Sequence, residues 1–319
     1  MQETAIVIIN WNGWKDTVEC LSSFEWPVAD VHFFILDNLS TDDSVVRLEN
    51  YLTGRSISYS RCGQDELGLR DDTGYPVTLV LNSANQGFAG GNNVILRYLL
   101  RTDRFSHAWL LNNDTVVKKD SLAQMLKYME GYPRMAFCGS VVLDYYKPEL
   151  IQCCGVNYYR YLGVSKLYLK DRIWMGVTPS ELQAGDTSTR YQIGASLLAD
   201  MEKLRHVGLM DEIFFMYSEE ADWQIRAKSL GYGNGLAPES IIYHKGNVST
   251  VNKKHLFFYH YNRSAIILTR KNFGLFATLT ATFSLAGITA IRSRFALKAM
   301  WYGLKGMAGG WLADIKKTS

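Results

Sequence analysis

The chain has 319 residues, 47% of them hydrophobic and 20% charged, a globular composition that excludes a disordered or low-complexity protein. Its net charge of +3 conceals an asymmetry: residues 253–319 carry eleven Lys and Arg against one acid, Asp314, whereas residues 1–252 carry 23 basic against 30 acidic residues. Five cysteines (Cys20, Cys62, Cys138, Cys153, Cys154), odd in number and without a CxxC pair, argue against a disulfide framework or a zinc knuckle and predict reduced, cytosolic thiols.

The opening "MQETAIVIIN" has no basic stretch ahead of an apolar one, so no export signal is expected. "TAIVIIN" is a β-branched run ending at polar Asn10, and "WKDTVECLSSF" then places Trp14, Val18 and Leu21 at helical spacing. The alternation continues through "VHFFILD", "DDSVVRLENYL", "VTLVLN", "AGGNNVILRYLL" and "HAWLLNN". Strands apolar on both faces, separated by amphipathic helices, predict an α/β fold with a Rossmann-like, mostly parallel sheet covered by helices on both sides. Ligands of such sheets bind beyond the carboxyl ends of the strands, where Asn10, Asp37, Asn82 and Asn112 stand. Residues 53–76 read as a long surface connection and residues 157–190 as a mobile, lid-like loop.

From Tyr191 the pattern resumes with "YQIGASLLAD", a helix around "MEKLRHVG", and the stretch "IFFMYSEEADW". Ser218 is expected to cap a helix whose first turn holds Glu219 and Glu220, with Gly231 closing its far end. The helix start favours an ionised Glu220, and a wall of Phe214 and Phe215 opposes it; the sequence leaves that balance open. Beyond Lys253, residues 273–291 contain no charge over 19 positions but include five Ser or Thr, with basic residues at both flanks. This predicts a helical C-terminal extension, one helix or a pair, lying on an anionic leaflet.

Taken singly, the polar positions have ordinary explanations. Asp37 in "ILDNLSTDDS" suits a turn cluster as well as a contact to a ribose or base, and "NQGFAGGNN" leaves N–H groups free for an anion without the GxGxxG or GK[ST] spacing. Asp114 in "WLLNNDTVV" suits a cap or a ligand that shares a hard divalent cation with a diphosphate, and His244 in "IIYHKG" follows a buried run. The tail interleaves its charges with apolar runs, which suits lipid better than nucleic acid.

In order and spacing, however, "AIVIINWNG", "FFILDNLSTDDS", "NQGFAGGNN", "LLNNDTVV", "GASLLADMEKLRHVGLMDEIFFMYSEEADWQIRAKSLGYG" and "IIYHKG" resemble inverting family 2 glycosyltransferases, nearest the bacterial rhamnosyltransferase-like branch that builds cell-surface polysaccharides. The resemblance covers about residues 4–250. It implies a GT-A-type fold with a nucleotide-sugar-binding half (1–115), a catalytic and acceptor-binding half (116–250), and a basic, apolar membrane-association tail (251–319). Asn10, Trp11, Asn12, Asp37, Asn38, Asn85, Gly87, Asn92, Asn93 and Asn113 would form the donor pocket, with Asp37 reading a pyrimidine N3–H. Asp114 is similar to the last acid of a DxD-type motif and His244 to the histidine that completes a Mn2+ or Mg2+ site. Glu220 would be the catalytic base, and Gly194, Ala195, Glu219, Asp222 and Trp223 would line the acceptor side, although Trp223 reads more readily as core.

Three departures stand out: Asn112 where the fuller motif has Asp, Glu rather than Asp as base, and Trp11 where Tyr is usual. The resemblance implies a dTDP-rhamnose donor, with UDP-galactofuranose, UDP-galactose and UDP-N-acetylglucosamine as alternatives. It further implies a lipid-linked or polysaccharide acceptor, no nucleic acid, and a cytoplasmic enzyme peripheral on the inner face of the membrane. Two other readings compete. A nucleotidyltransferase needs a basic, Gly-rich loop after the first strand, and "NWNGWKD" offers one Lys and one Gly. A non-catalytic saccharide- or nucleotide-binding protein would also keep the fold.

Overall fold

A computed structural model describes residues 3–69, 74–183, 189–246, 254–293 and 296–315. The N-terminal half runs β1 (Glu3–Asn10), α1 (Trp14–Ser22), β2 (Val31–Asp37), α2 (Ser44–Gly54), β3 (Tyr59–Gly63), β4 (Val77–Leu81), α3 (Gly87–Arg101) and β5 (Phe105–Asn112). Alternate strand residues serve opposite faces. Ile6, Ile8, Phe33, Ile35 and Trp109 pack with Cys20 and Leu21 of α1 and Leu48 and Leu52 of α2. Ala5, Val7, Phe34, Leu36 and Leu110 pack with Ile95, Leu96 and Leu99 of α3. Burial on both faces is why these strands are continuous apolar runs in the sequence.

The chain continues through β6 (Thr115–Val117), α4 (Ser121–Glu130), β7 (Met135–Asp144), β8 (Ile151–Cys153), β9 (Val156–Tyr159), β10 (Val164–Leu167), α5 (Pro179–Gln183), β11 (Arg190–Tyr191), β12 (Ser196–Asp200), α6 (Met201–Val207), α7 (Glu219–Ser229) and β13 (Gly233–His244). The main sheet has the order β3-β4-β2-β1-β5-β12-β7-β13-β6, with β8 beside β7. The stretch from β3 to β5 is parallel, as is the β7–β13 pair; β12 runs antiparallel between β5 and β7, and β6 antiparallel on β13. The expected mostly parallel sheet with helices on both faces is therefore present.

Two sequence expectations are corrected. Residues 53–76 are not only a connection, because Tyr59–Gly63 adds the edge strand β3, paired along β4 and anchored by buried Cys62. Residues 184–188 lie outside the described residues, and residues 157–183 and 189–190 are not only a loop: β9, β10 and β11 form a second, antiparallel sheet. Its strands are too short to show a period, and they gain their burial from the C-terminal helices, to which the Tyr158 hydroxyl donates at the Ala265 carbonyl, 3.1 Å away.

Those helices are α8 (Lys254–Arg292), broken at Gly274 where φ is 80°, and α9 (Leu297–Trp311). Before the break, Ile266, Ile267 and Leu268 are fully buried against the body of the protein. α9 lies along both halves of α8, its glycine face close to Tyr259 and Ile266 of the first and Thr289 of the second. The Gly163 turn after β9 abuts Ala281 and Leu285.

Candidate active site

At the carboxyl edge of the sheet Asn10 and Asp37 are register partners. Both are buried, which forces their polar atoms to pair. Asn10 Nδ2 donates to Asp37 Oδ1 at 2.8 Å, and the Thr17 hydroxyl donates to Asn10 Oδ1 at 2.8 Å. Ser40 completes the cluster, its N–H donating to Asp37 Oδ2 and its hydroxyl to Asp37 Oδ1, at 2.9 and 2.6 Å. Asn12, in the left-handed region at φ 51°, donates its N–H to Ser40 Oγ and accepts from the Thr41 N–H at 2.7 Å. Asn113 Nδ2 donates to Thr17 Oγ1 at 3.0 Å. Trp11 is exposed, at 45%, so its ring is an open face beside a polar floor.

Asn38 is the hub of the next cluster. Its amide donates to Asn85 Oδ1 and the Gly87 carbonyl, both at 3.1 Å, and accepts from Asn82 Nδ2 and the Gln86 N–H. The turn into α3 is thereby fixed, and it meets the segment that precedes α7: the Phe88 N–H donates to the Phe215 carbonyl at 3.1 Å. Gly87 makes the approach possible, since it sits at φ 68° and a Cβ there would fall 2.2 Å from Phe215 O. Asn93 adds a second tie, accepting from the Met210 N–H and donating to the Met210 carbonyl and to Glu212.

The acids follow two consecutive left-handed residues, Tyr217 (φ 69°) and Ser218 (φ 70°). Ser218 occupies the N-cap position without a side-chain capping bond, contrary to expectation, while Gly231 (φ 79°) does follow the end of α7. Glu219 is buried and Glu220 half-buried, and each keeps one carboxylate oxygen with no hydrogen bond. Burial pushes the Glu220 carboxyl up to about 7, against the backbone N–H groups of Glu220 and Gly194, which favour the anion. Burial raises Glu219 well above the usual carboxylate range, and the adjacent Glu220 charge raises it further. Desolvation therefore wins over the helix start, the question the sequence left open.

Past the end of β5, Asp114 Oδ1 lies 3.1 Å from His244 Nε2, and Asn112 Nδ2 lies 3.4 Å from the same nitrogen. Gln152 orients the ring: its Nε2 donates to the His244 carbonyl, which turns its Oε1 to His244 Nδ1 at 2.6 Å. With Nδ1 so engaged, the ring turns its Nε2 toward Asp114. An imidazole nitrogen and a carboxylate oxygen 3.1 Å apart, backed by an orienting amide, fit a shared divalent cation. Among the described residues no group of three or more His, Cys, Asp or Glu side chains forms a ready-made cation cage. Lys245 holds this edge in place, its N–H on the Asp114 carbonyl and its Nζ 2.6 Å from both Asp16 and Glu19 of α1.

The profile of glycosyl transferase family 2 matches residues 5–226. The chain belongs to that family. No curated protein sequence matches it significantly. Among solved structures it is similar to the mannosyltransferase PcManGT from Pyrobaculum calidifontis, in complex with GDP-Man and Mn2+, at 12% identity and a TM-score of 0.57, over 98% of this chain and 87% of that one. It is also similar to GalNAc-T7 with UDP, GalNAc and Mn2+, at 12% identity and a TM-score of 0.64, over 97% of this chain and 55% of that one. At such identity the likeness is one of fold, and the fold is GT-A-like.

In this family 2 glycosyltransferase the structure groups Asn10, Trp11, Asn12, Asp37 and Asn113 at one edge and Asn38, Asn85 and Gly87 beside them. Asp114 and His244 pair, and Gly194, adjoining Ala195, donates its N–H to Glu220. Four of the expected contact residues stand elsewhere. Trp223 is fully buried, ring against Phe137 and N–H on the Gly208 carbonyl, so it is core. Asp222 is fully buried and receives Arg226, Lys271 and Asn272 at 2.9–3.0 Å, so it fastens α7 to α8 instead of facing a sugar. Asn92 is buried and donates back to the Phe88 carbonyl of its own helix, and Asn93 is buried with its amide engaged by the Met210 backbone and Glu212. Gln152, Lys245 and Lys271 escaped sequence reasoning. Only Lys245, adjacent to His244, carried any local signal.

Proposed function

We propose that this family 2 enzyme transfers L-rhamnose from dTDP-rhamnose, with inversion, to a lipid-linked saccharide in cell-surface polysaccharide synthesis. The carrying observation is Glu220, a carboxylate with an unengaged oxygen and a proton affinity raised to about 7, at the start of α7 beside the donor turn. In that state it takes the acceptor hydroxyl proton as the oxygen attacks the anomeric carbon from the face opposite the nucleotide. The bond from that carbon to the diphosphate oxygen breaks, and its electron pair leaves with the nucleoside diphosphate. The Asn10–Asp37 cluster holds the nucleoside, Trp11 covers the base, and the Asn38-ordered turn holds the sugar; fixing donor and acceptor together supplies much of the rate.

Asp114 and His244 would hold Mn2+ or Mg2+, and a cation so bound supplies charge stabilisation for the departing diphosphate. The nucleotides and Mn2+ in the two solved relatives support a nucleotide sugar and a divalent cation here. Rhamnose rests on the six sequence blocks, and a UDP-hexose or UDP-galactofuranose is the alternative donor.

The same reading sets the enzyme at the inner face of the membrane. His255–Arg292 is long and apolar enough to cross a bilayer, but its first half is built into the protein and its second half is packed on α9. The exposed apolar side chains include Leu275, Phe276, Leu279, Phe283 and Ile291 of α8, with Leu297, Trp301 and Leu304 of α9. Arg292, Lys298 and Lys305 flank them. An apolar stripe bordered by cations suits a hairpin lying in the headgroup region of an anionic leaflet.

A thermal-shift series with dTDP, UDP, GDP and NAD, each with and without Mn2+, tests the donor reading. A native-state ligand raises stability by RT ln(1 + [L]/Kd), so a Mn2+-dependent shift with dTDP or UDP is expected and names the nucleotide. Glu220→Gln should keep that shift and lose turnover. Turnover retained in Glu220→Gln would remove the base assignment.

A further inference from the structure

The segment between Ile213 and Ser218 is held by α8 from outside the sheet. Arg263 donates to the Ile213 carbonyl at 2.7 Å and the Ser264 hydroxyl to the Met216 carbonyl at 2.8 Å. This fixed backbone carries Tyr217, whose left-handed conformation costs energy that a bulky residue avoids unless its neighbours or its role demand it. The ring so displayed is met by two rings one helical turn apart on α8. Tyr217 is edge-on to Phe257 at 5.6 Å and to Tyr261 at 6.1 Å, and Phe257 stacks on Tyr261 at 5.5 Å. All three are half-buried, and the Tyr261 hydroxyl accepts the Ser165 N–H at 3.1 Å, so the rings form a fixed, partly exposed apolar surface.

The acid pair adjoins this surface. The Tyr217 backbone bonds the Glu219 carboxylate, and Glu219 and Glu220 each keep an oxygen without a hydrogen bond. Apolar rings beside unsatisfied carboxylate oxygens match the two chemistries of a pyranose: its axial C–H face packs on an aromatic ring, and its hydroxyls donate at the rim. With Asp222 and Trp223 committed to the core, the chain offers another acceptor surface here. We infer that Tyr217, Phe257 and Tyr261 form the subsite that stacks the acceptor sugar, with Glu219 receiving one of its hydroxyls. The C-terminal extension thus supplies two of the three rings. This rests on the transferase reading above.

The test uses the full chain with saturation-transfer NMR. The probes are methyl α-L-rhamnoside, methyl β-D-glucoside and methyl N-acetyl-β-D-glucosaminide, each with UDP or dTDP and Mn2+ present. Transfer to the ring C–H protons of at least one glycoside is expected, falling about fivefold or more in Phe257→Ala and Tyr217→Ala as the stacking face is lost. Tyr217→Phe keeps the ring and should keep the signal, and the nucleotide-dependent thermal shift should survive in all variants. Full signal in both alanine variants, or none with any glycoside in the wild type, overturns the subsite while the nucleotide shift leaves the transferase reading standing. Loss of the nucleotide shift in Phe257→Ala and also in Phe257→Leu overturns it too, by assigning that ring to the fold. A wild type with no nucleotide shift sinks the transferase reading instead.

Discussion

The backbone N–H of Phe88 donates to the carbonyl of Phe215 at 3.1 Å, so the turn that opens α3 and the segment that leads to Glu220 are one joined surface. Donor-side and acid-side groups are thereby set at a fixed separation by a backbone-to-backbone bond, with the Asn93 side chain as a second tie.

Gly87→Ala should break this joint. The left-handed conformation penalises any Cβ, and the added carbon would sit 2.2 Å from Phe215 O. The combined cost is expected at about 2–4 kcal/mol, read as a lower melting temperature and loss of the nucleotide-dependent shift.

Lys271→Met should be far more damaging than removal of a surface ion pair. Lys271 Nζ is 2.9 Å from the fully buried Asp222 and 2.6 Å from Asp211. Removing it strips a buried carboxylate of one of its two cations, which typically costs about 3–5 kcal/mol, whereas an exposed, solvent-screened pair such as Arg47–Asp43 contributes little. Urea denaturation of the two single variants, Lys271→Met and Arg47→Met, makes the comparison.

The pH dependence follows from Glu220. As a base it works only when ionised, so kcat/KM should rise with pH through about 7 rather than through the ordinary 4.5. Stability runs the other way. An acid whose folded value is raised binds more protons folded than unfolded, so its burial costs nothing below about 4.5 and an increasing amount up to about 7. Glu220→Gln should therefore raise the melting temperature at pH 8 and leave it unchanged at pH 4. Equal effects at both values would contradict the shift.

Phe283→Glu and Trp301→Glu should each release the protein from vesicles containing phosphatidylglycerol. Each buries up to a full aromatic side chain in the headgroup region, so binding is expected to fall about tenfold or more per substitution. Both residues are well exposed, at 79% and 64%, so the nucleotide shift should not change. Co-sedimentation equal to wild type would remove the stripe as the contact.

Much of this was legible in the chain because the N-terminal strands are buried on both sides: "TAIVIIN" and "VHFFILD" admit few other structures, and their polar ends, Asn10 and Asp37, do meet. The second sheet was not legible, since four-residue strands such as Val164–Leu167 show no period and draw their burial from helices a hundred residues away. Asp222 and Trp223 misled for a related reason. On a helix start rich in acids, position alone does not tell which side chains face outward, and Asp222 turns to a lysine 49 residues later. Asp114 and His244 were separable from ordinary caps only by their resemblance to a family, and Gln152 shows in the structure what orients the ring.

The brace between α7 and α8 also orders events during synthesis. Each proposed nucleotide, cation and base residue lies before residue 245, yet the Ile213 and Met216 carbonyls and the second cation of Asp222 find their partners only at Arg263, Ser264 and Lys271. Chains grow from the N-terminus and fold as they emerge, so the sheet can assemble while the segment bearing the base still lacks its clamp. Competence therefore arrives late in translation, as the C-terminal helices leave the ribosome.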